Sequence, residues 1–230
     1  MYASLNIFKN LCSPRGNNFE KVALVVCKFA EMFDSRGYAY HGPDPLFPRS
    51  DPSVVFTGST TNTFKNFLHD PDNLNDNKWL VQRCLRTQNV GHLLEDSFFP
   101  VWASYFTMIG AITPPESISD LVRDSWEFFE ECLSIPRERL GINIKSSDQD
   151  LVEECKKAGL GDMLLYNTKE DNYYRHKYGI PNVLGRNYNL VVREEENPDV
   201  LHDFGNVIII EKDGKFFVEL SEGDLPKSVP

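Results

Sequence analysis

The sequence has no apolar run long enough to cross a bilayer, which needs about 20 residues. Its most apolar stretch, VALVVCKFA at 22–30, is short and interrupted by Lys28, and it reads as a core helix. Residues 1–10 lack the charged-then-apolar layout of a signal peptide. No membrane association is expected. Cysteine is sparse: Cys12, Cys27, Cys84, Cys132 and Cys155 are odd in number and share no CxxC spacing. That excludes a disulfide framework and a cysteine zinc site, and reduced thiols in a cytoplasmic protein are the simplest account. The glycine motifs of nucleotide folds are missing, both the P-loop and GxGxxG. So are the GxSxG elbow and HExxH. The histidines at 41, 69, 92, 176 and 202 show no paired metal spacing. No metal ligand is assigned. There is no internal repeat and no low-complexity segment. Positive charge is also short, with a net charge of −10. No cluster of Lys and Arg forms a nucleic-acid footprint, so the arginines are better matched to one small anion than to a duplex.

What is present is a chain of 230 residues, 41% of them hydrophobic, enough for one sizeable core. Residues 18–36 predict a helix: Val22, Val25, Val26, Phe29, Met32 and Phe33 recur at helical spacing, and Gly37 ends it. Prolines at 43, 45, 48 and 52 predict an extended segment over 38–52. Ser53–Thr57 reads as a short buried strand, Gly58–Thr61 as a turn and Phe64–Phe67 as a short helix. Strands are predicted at Trp79–Leu85 and Phe98–Ile112. A helix over Ser117–Leu133, a strand at Leu140–Ile144 and a helix over Asp148–Lys157 ended by Gly159 follow. From Met163 to Gly185 the pattern is irregular. Strands return at Asn189–Arg193, Val207–Ile210 and Phe216–Leu220, the last two joined by Asp213–Gly214. This order implies an α+β fold with a mostly antiparallel sheet flanked by helices, in one domain over 1–230. Residues 113–165 form a helix and a small α/β insert within it.

The chemistry-bearing constellation lies between Asp51 and Gly110. Arg83 and Arg86 stand on one strand and an aromatic strand follows. A phosphoryl group needs a planar, permanently charged donor, which arginine supplies as a bidentate fork. A purine needs an aromatic platform, which Tyr105 or Phe106 could supply. On pattern alone, the alternative is a surface salt bridge beside core aromatics. Cys84, between the arginines, could be an activated thiol, but its strand position reads as packing.

These residues carry a resemblance. FAEMFDSRGY from Phe29, DPSVVFTGSTTNTFKNFL from Asp51, QRCLR at 82–86 and YFTMIG at 105–110 are similar to the alanyl-tRNA synthetase catalytic-domain family, of class II. So are SWEFFEECLSIPRERLGINI from Ser125, DNYY at 171–174, GNVIII at 205–210 and LPKSV at 225–229. The resemblance implies an antiparallel class II sheet and ATP-dependent formation of an aminoacyl-adenylate, with Mg2+ on the phosphates. It implies Arg86 as the catalytic, α-phosphate-gripping arginine, Phe106 as the aromatic under adenine, and Glu95 as a further ATP-binding residue. Tyr174, Asn206 and Ile208 match positions lining the pocket for a small, alanine-like amino acid. A tRNA or a carrier is the implied acceptor, and a homodimer or a partner chain is in keeping with the class.

The sequence also departs from the family. The loop Thr87–Glu95 lacks its glycine-rich, charged pattern, Thr107 and Ala111 replace an acidic residue and an asparagine, and GIPNVLGRNYNL replaces a Gly-Pro-Cys loop. The third class II motif is expected to fall beyond Pro230. Three functions therefore stay open: an amino-acid-activating enzyme, a non-catalytic nucleotide- or protein-binding paralogue, and one half of a split synthetase.

Overall fold

The computed structural model describes residues 17–48, 51, 53–87, 104–132, 135–167, 175–177, 180–194, 197–212 and 215–222. Helix α1 spans Asn17–Ser35. Its apolar stripe buries Val26, Phe29, Ala30 and Phe33, and leaves Leu24 exposed on the other side. Gly37 ends it with φ +84°. The Tyr38 amide donates to Phe33 O and the Gly37 amide to Asp34 O. The Tyr38 ring then packs edge-on against Phe33, at 4.8 Å between centroids. This reversal uses a left-handed backbone that glycine adopts without steric cost.

The strands are β1 (Ala39–Tyr40), β2 (Lys78–Leu85), β3 (Tyr105–Thr113), β4 (Leu140–Lys145), β5 (Leu164–Asn167), β6 (Arg175–Lys177), β7 (Val183–Arg193), β8 (Leu201–Lys212) and β9 (Lys215–Glu222). They form one sheet in the order β1-β2-β3-β9-β8-β7-β4-β5, with β6 paired to β7. Among the described residues, only the β1–β2 and β4–β5 pairs are parallel. The fold is therefore α+β with a mostly antiparallel sheet, as the order of elements predicts.

Strand alternation divides the side chains between two faces. On the back face Trp79, Val81, Ile109, Ala111, Ile142, Ile144, Tyr188, Leu190, Val207 and Ile209 join the large core cluster. Against them pack α1, α3 (Ile118–Glu127, running on into a wider turn at Phe128–Cys132) and α4 (Gln149–Lys157). On the front face Leu80, Ile112, Val183, Ile208 and Ile210 pack against Phe64 and Leu68 of α2 (Thr60–His69). Cys84, Phe106 and Met108 form a third, small cluster at one end.

The structure corrects several expectations. Residues 53–57 are not a buried strand: Val55 is 73% exposed, and only Thr57 is tied into neighbouring backbone, donating to Leu46 O and accepting from the Leu85 amide. β-branched residues without a pairing partner do not make a strand. The short helix at 64–67 is the middle of the longer α2. The region from Met163 is not simply irregular: β5 runs parallel to β4, with α4 between them, so residues 140–167 extend the edge of the main sheet. No disulfide joins Cys27, Cys84 or Cys155. Burial pushes the Cys155 thiol up to about 12. Among the described residues, no helix is long and apolar enough to cross a membrane.

Candidate active site

Arg86 follows the last residue of β2. Its amide donates to Ser104 O at 2.8 Å, which continues the β2–β3 ladder by one step. Its Nε donates to Gly58 O at 2.8 Å. Its guanidinium carbon lies 5.1 Å from the centre of the Phe106 ring, a cation–π contact. Phe106 itself is buried with Cys84 and Met108 beneath it. The sequence pattern thus places Arg86 and Phe106 together, and Cys84 serves as packing. Phe106 is the platform of the arginine, because the guanidinium lies over the ring. Among the described residues no acceptor engages the two Nη groups of Arg86.

The turn that supplies Gly58 O is held by its own side chains. Asn62 Oδ1 accepts from the Gly58 amide at 3.0 Å, the Ser59 amide at 3.1 Å and Ser59 Oγ at 3.2 Å. Below it, buried Asp51 accepts from Lys65 Nζ at 3.0 and 2.9 Å and from Ser53 Oγ at 2.6 Å. Burial alone would raise the Asp51 carboxyl. The hydrogen bonds from Ser53 and Lys65 outweigh it and hold the group below the usual carboxylate range. Gln82, fully buried on β2, accepts from Thr63 Oγ1 and the Asp44 amide and donates to Asp44 O. It pins the proline-rich segment and α2 to the same strand.

A polar row crosses the front face further along. Asn143 pairs in register with Asn189, Asn189 with Asn206, Asn206 with Ser221, and Ser221 with Gly110. Asn187 and Asn189 are both 1% exposed, and Asn206 is half-buried beside them. Asn187 Nδ2 donates to Asn189 Oδ1 and, at 3.3 Å, to Asn206 Oδ1. Asn189 Nδ2 donates to Asp203 Oδ2 at 2.7 Å. Ile208, one alternation along β8 from Asn206, packs into the front cluster with Phe64 and Leu80. Glu95 and Tyr174 lie outside the described residues.

Asn187, Asn189 and Asp203 are absent from the sequence-based set. The available signal was the alternation Asn187–Tyr188–Asn189 inside a strand, which puts both amides on one face and the tyrosine in the opposite core.

Comparison with known proteins identifies the family. The family described as tRNA synthetases class II (A) matches residues 25–200. An alanine--tRNA ligase of Nitrosospira multiformis is 30% identical over 129 residues, 55% of this chain and 15% of that protein. One from Acetivibrio thermocellus is 28% identical over 159 residues, 66% of this chain and 17% of that protein. The chain thus spans about a sixth of the length of these relatives. Among solved structures, histidyl-tRNA synthetase of S. aureus superposes with a TM-score of 0.57 at 9% identity, over 92% of this chain and 65% of that one. A threonyl-tRNA synthetase from Aeropyrum pernix does so with 0.58 at 13% identity, over 91% and 58%. At such identities these two speak for the fold alone. With the family matched over most of its length, the chain belongs to the class II tRNA synthetases, in the alanyl-tRNA synthetase-like catalytic-domain family.

Proposed function

We propose that the chain activates a small, alanine-like amino acid with ATP to give an aminoacyl-adenylate. The observation that carries this reading is Arg86: its Nε is anchored on Gly58 O, its guanidinium carbon sits over the Phe106 ring, and no described acceptor engages its Nη groups. A preset planar fork of permanent charge suits an α-phosphate. An oxygen of the amino-acid carboxylate attacks the α-phosphorus, the bond to the bridging oxygen breaks, and pyrophosphate leaves. No covalent enzyme intermediate is needed, so the protein's work is to position the reactants and offset charge in the transition state. Arg86 does the second of these at the phosphate. The guanidinium covers the Phe106 ring, so an adenine ring arriving here meets the arginine first. Asn206 lines the amino-acid side and Ile208 supports it from below; Glu95 and Tyr174 complete the assignment on the strength of the resemblance.

Mg2+ fits the described residues less well. No three His, Cys, Asp or Glu side chains gather among them to hold a metal. No step is therefore routed through it, and it belongs with the phosphates of ATP. The acceptor of the adenylate is tRNA or a carrier. A small pocket separates amino acids differing by one methylene by only about 1–3 kcal/mol, so alanine-like is the level at which the substrate is defined.

A second reading, a nucleotide-binding module without chemistry, is favoured by one feature: the Phe106 ring lies under Arg86 and not open to a purine. Amino-acid-dependent exchange of pyrophosphate into ATP, run with a panel of amino acids, separates the two. Exchange with a small amino acid that is lost in Arg86→Ala supports activation. ATP binding without exchange for any amino acid selects the module.

A further inference from the structure

The asparagine row has a direction, and the direction comes from a residue outside the proposed contact set. Asp203 pairs with Val191 and lies on the same face as Asn187 and Asn189. A β-bulge between Leu190 and Val191 shifts the register, so Asn189 pairs with Asn206 while its side chain reaches Asp203. An ionised carboxylate only accepts hydrogen bonds. Asn189 must therefore turn its Nδ2 to Asp203, which leaves its Oδ1 toward Asn187. Asn187 in turn offers Nδ2 to both neighbours, Asn189 Oδ1 and Asn206 Oδ1. An amide has one oxygen and one nitrogen end, and here the carboxylate decides which end each amide presents. At the far end of the relay Asn206 has its oxygen occupied. Among the described residues no acceptor engages its Nδ2, and the side chain is half-buried on the front face.

We propose that Asp203, Asn189 and Asn187 are positioning residues that lock the amide of Asn206 in one flip state, so that the pocket offers its ligand an NH2 donor there. The ligand group met by Asn206 is then a hydrogen-bond acceptor, a carboxylate or carbonyl oxygen, and not an ammonium. This deepens the amino-acid-binding reading and rests on it for the identity of the ligand. The relay itself rests only on the side chains within the sheet. Locking has an energetic purpose. A buried amide free to flip would present donor and acceptor alternately, and ligand binding would have to select one state. The carboxylate makes that selection before the ligand arrives, while the burial of Asn187 and Asn189 strengthens each link.

The test is NMR of the side-chain amides in 15N-labelled protein without nucleotide, with resonances assigned by single Asn→Asp replacements. Asp203→Asn supplies a group that can donate as well as accept, so the direction is lost. The NH2 signals of Asn189, Asn187 and Asn206 are all expected to move by more than a linewidth or to double, while backbone amides on the back face stay in place. A change confined to Asn189 would overturn the relay, because a merely local contact reaches no further. In the wild-type protein the probes are propionate, isopropylamine and L-alanine. Propionate and L-alanine are expected to shift the Asn206 NH2, and isopropylamine to leave it. The reverse pattern, or no shift with any of the three, overturns the donor assignment. The relay is read without nucleotide and the activation reading by ATP binding and pyrophosphate exchange, so the two fail separately.

Discussion

On the back face of the sheet Phe29, Phe33, Trp79 and Phe128 pack ring to ring, with Phe29 at 4.1 Å from Phe33 and 5.2 Å from Phe128 between centroids. On the front face strands β2, β7 and β8 present Gln82, Asn187, Asn189 and Asn206. The difference separates two tasks. Apolar area removed from water holds the chain folded, at roughly 25 cal/mol per Å2. Hydrogen-bonded amides add little net stability each, but they fix where a donor or acceptor points. Two of the buried carboxylates, one at each face, are shifted in opposite directions. Asp51, at the front, is held down by Ser53 and Lys65. Asp124, at the back, is pushed up by burial even though Tyr38, Arg123 and Arg36 surround it. Its hydroxyl partner is Tyr38, at 3.1 Å.

If the back face supplies the stability, Trp79→Ala has the largest effect on it. A loss of about 3–5 kcal/mol is expected in urea unfolding, because the side chain is fully buried and its Nε1 donates to Asp34. A loss below about 1 kcal/mol would end the division of labour. At the front, Lys65→Ala strands a buried carboxylate and is expected to cost about 2 kcal/mol at neutral pH. The sign with pH follows from a folded pKa below the unfolded value. The Asp51 contribution is present above the unfolded pKa and fades as pH falls through the folded one. The gap between wild type and Lys65→Ala therefore narrows in acid, which urea titrations at neutral and acidic pH will show.

Asp124 carries the opposite sign. Its folded pKa is raised, so ionisation costs the fold free energy above that pKa and the cost is relieved as pH falls through it. Asp124→Asn removes the titration. Its stability relative to wild type is expected to rise from acid to neutral pH, and a fall would contradict the shift. The smallest effect belongs to Gly58→Ala. An added Cβ would stand 3.8 Å from Arg86 Cγ and from Leu85 O, ordinary contact distances. Stability within about 1 kcal/mol of wild type and unchanged ATP binding are expected. A large loss of binding would mean that the turn cannot take even a methyl group beside Arg86.

The two faces were unequally legible in the sequence. Helix α1 could be read from Val22 to Gly37 because its stripe, its terminal glycine and its packing all agree. Strands β2, β7 and β8 were recognised in part, since apolar alternation marks what faces the back core. The VVFT run at 54–57 misled because β-branched composition carries no information on pairing; Val55 points to solvent. Strand β5 was invisible for the converse reason: it is a short edge strand whose partner, β4, is supplied by a parallel crossover. The site divided in the same way. Pattern alone offered Arg83 and Arg86 as a possible anion site against a surface salt bridge, and it was the resemblance that singled out Arg86. Asn187 and Asn189 could not be found, because an amide is a site residue only through its neighbours. Those neighbours, Asn206 and Asp203, come from another strand across a bulge.

The central claim is that the front face ends in an anion fork built on Arg86. Calorimetric titration of ATP into wild-type protein and Arg86→Ala tests it most directly, with urea unfolding run on both. The account predicts measurable binding to wild type, at least about tenfold weaker binding to Arg86→Ala, equivalent to about 1.4 kcal/mol or more, and little change in stability because Arg86 is exposed. Equal ATP affinity in the two proteins would contradict it.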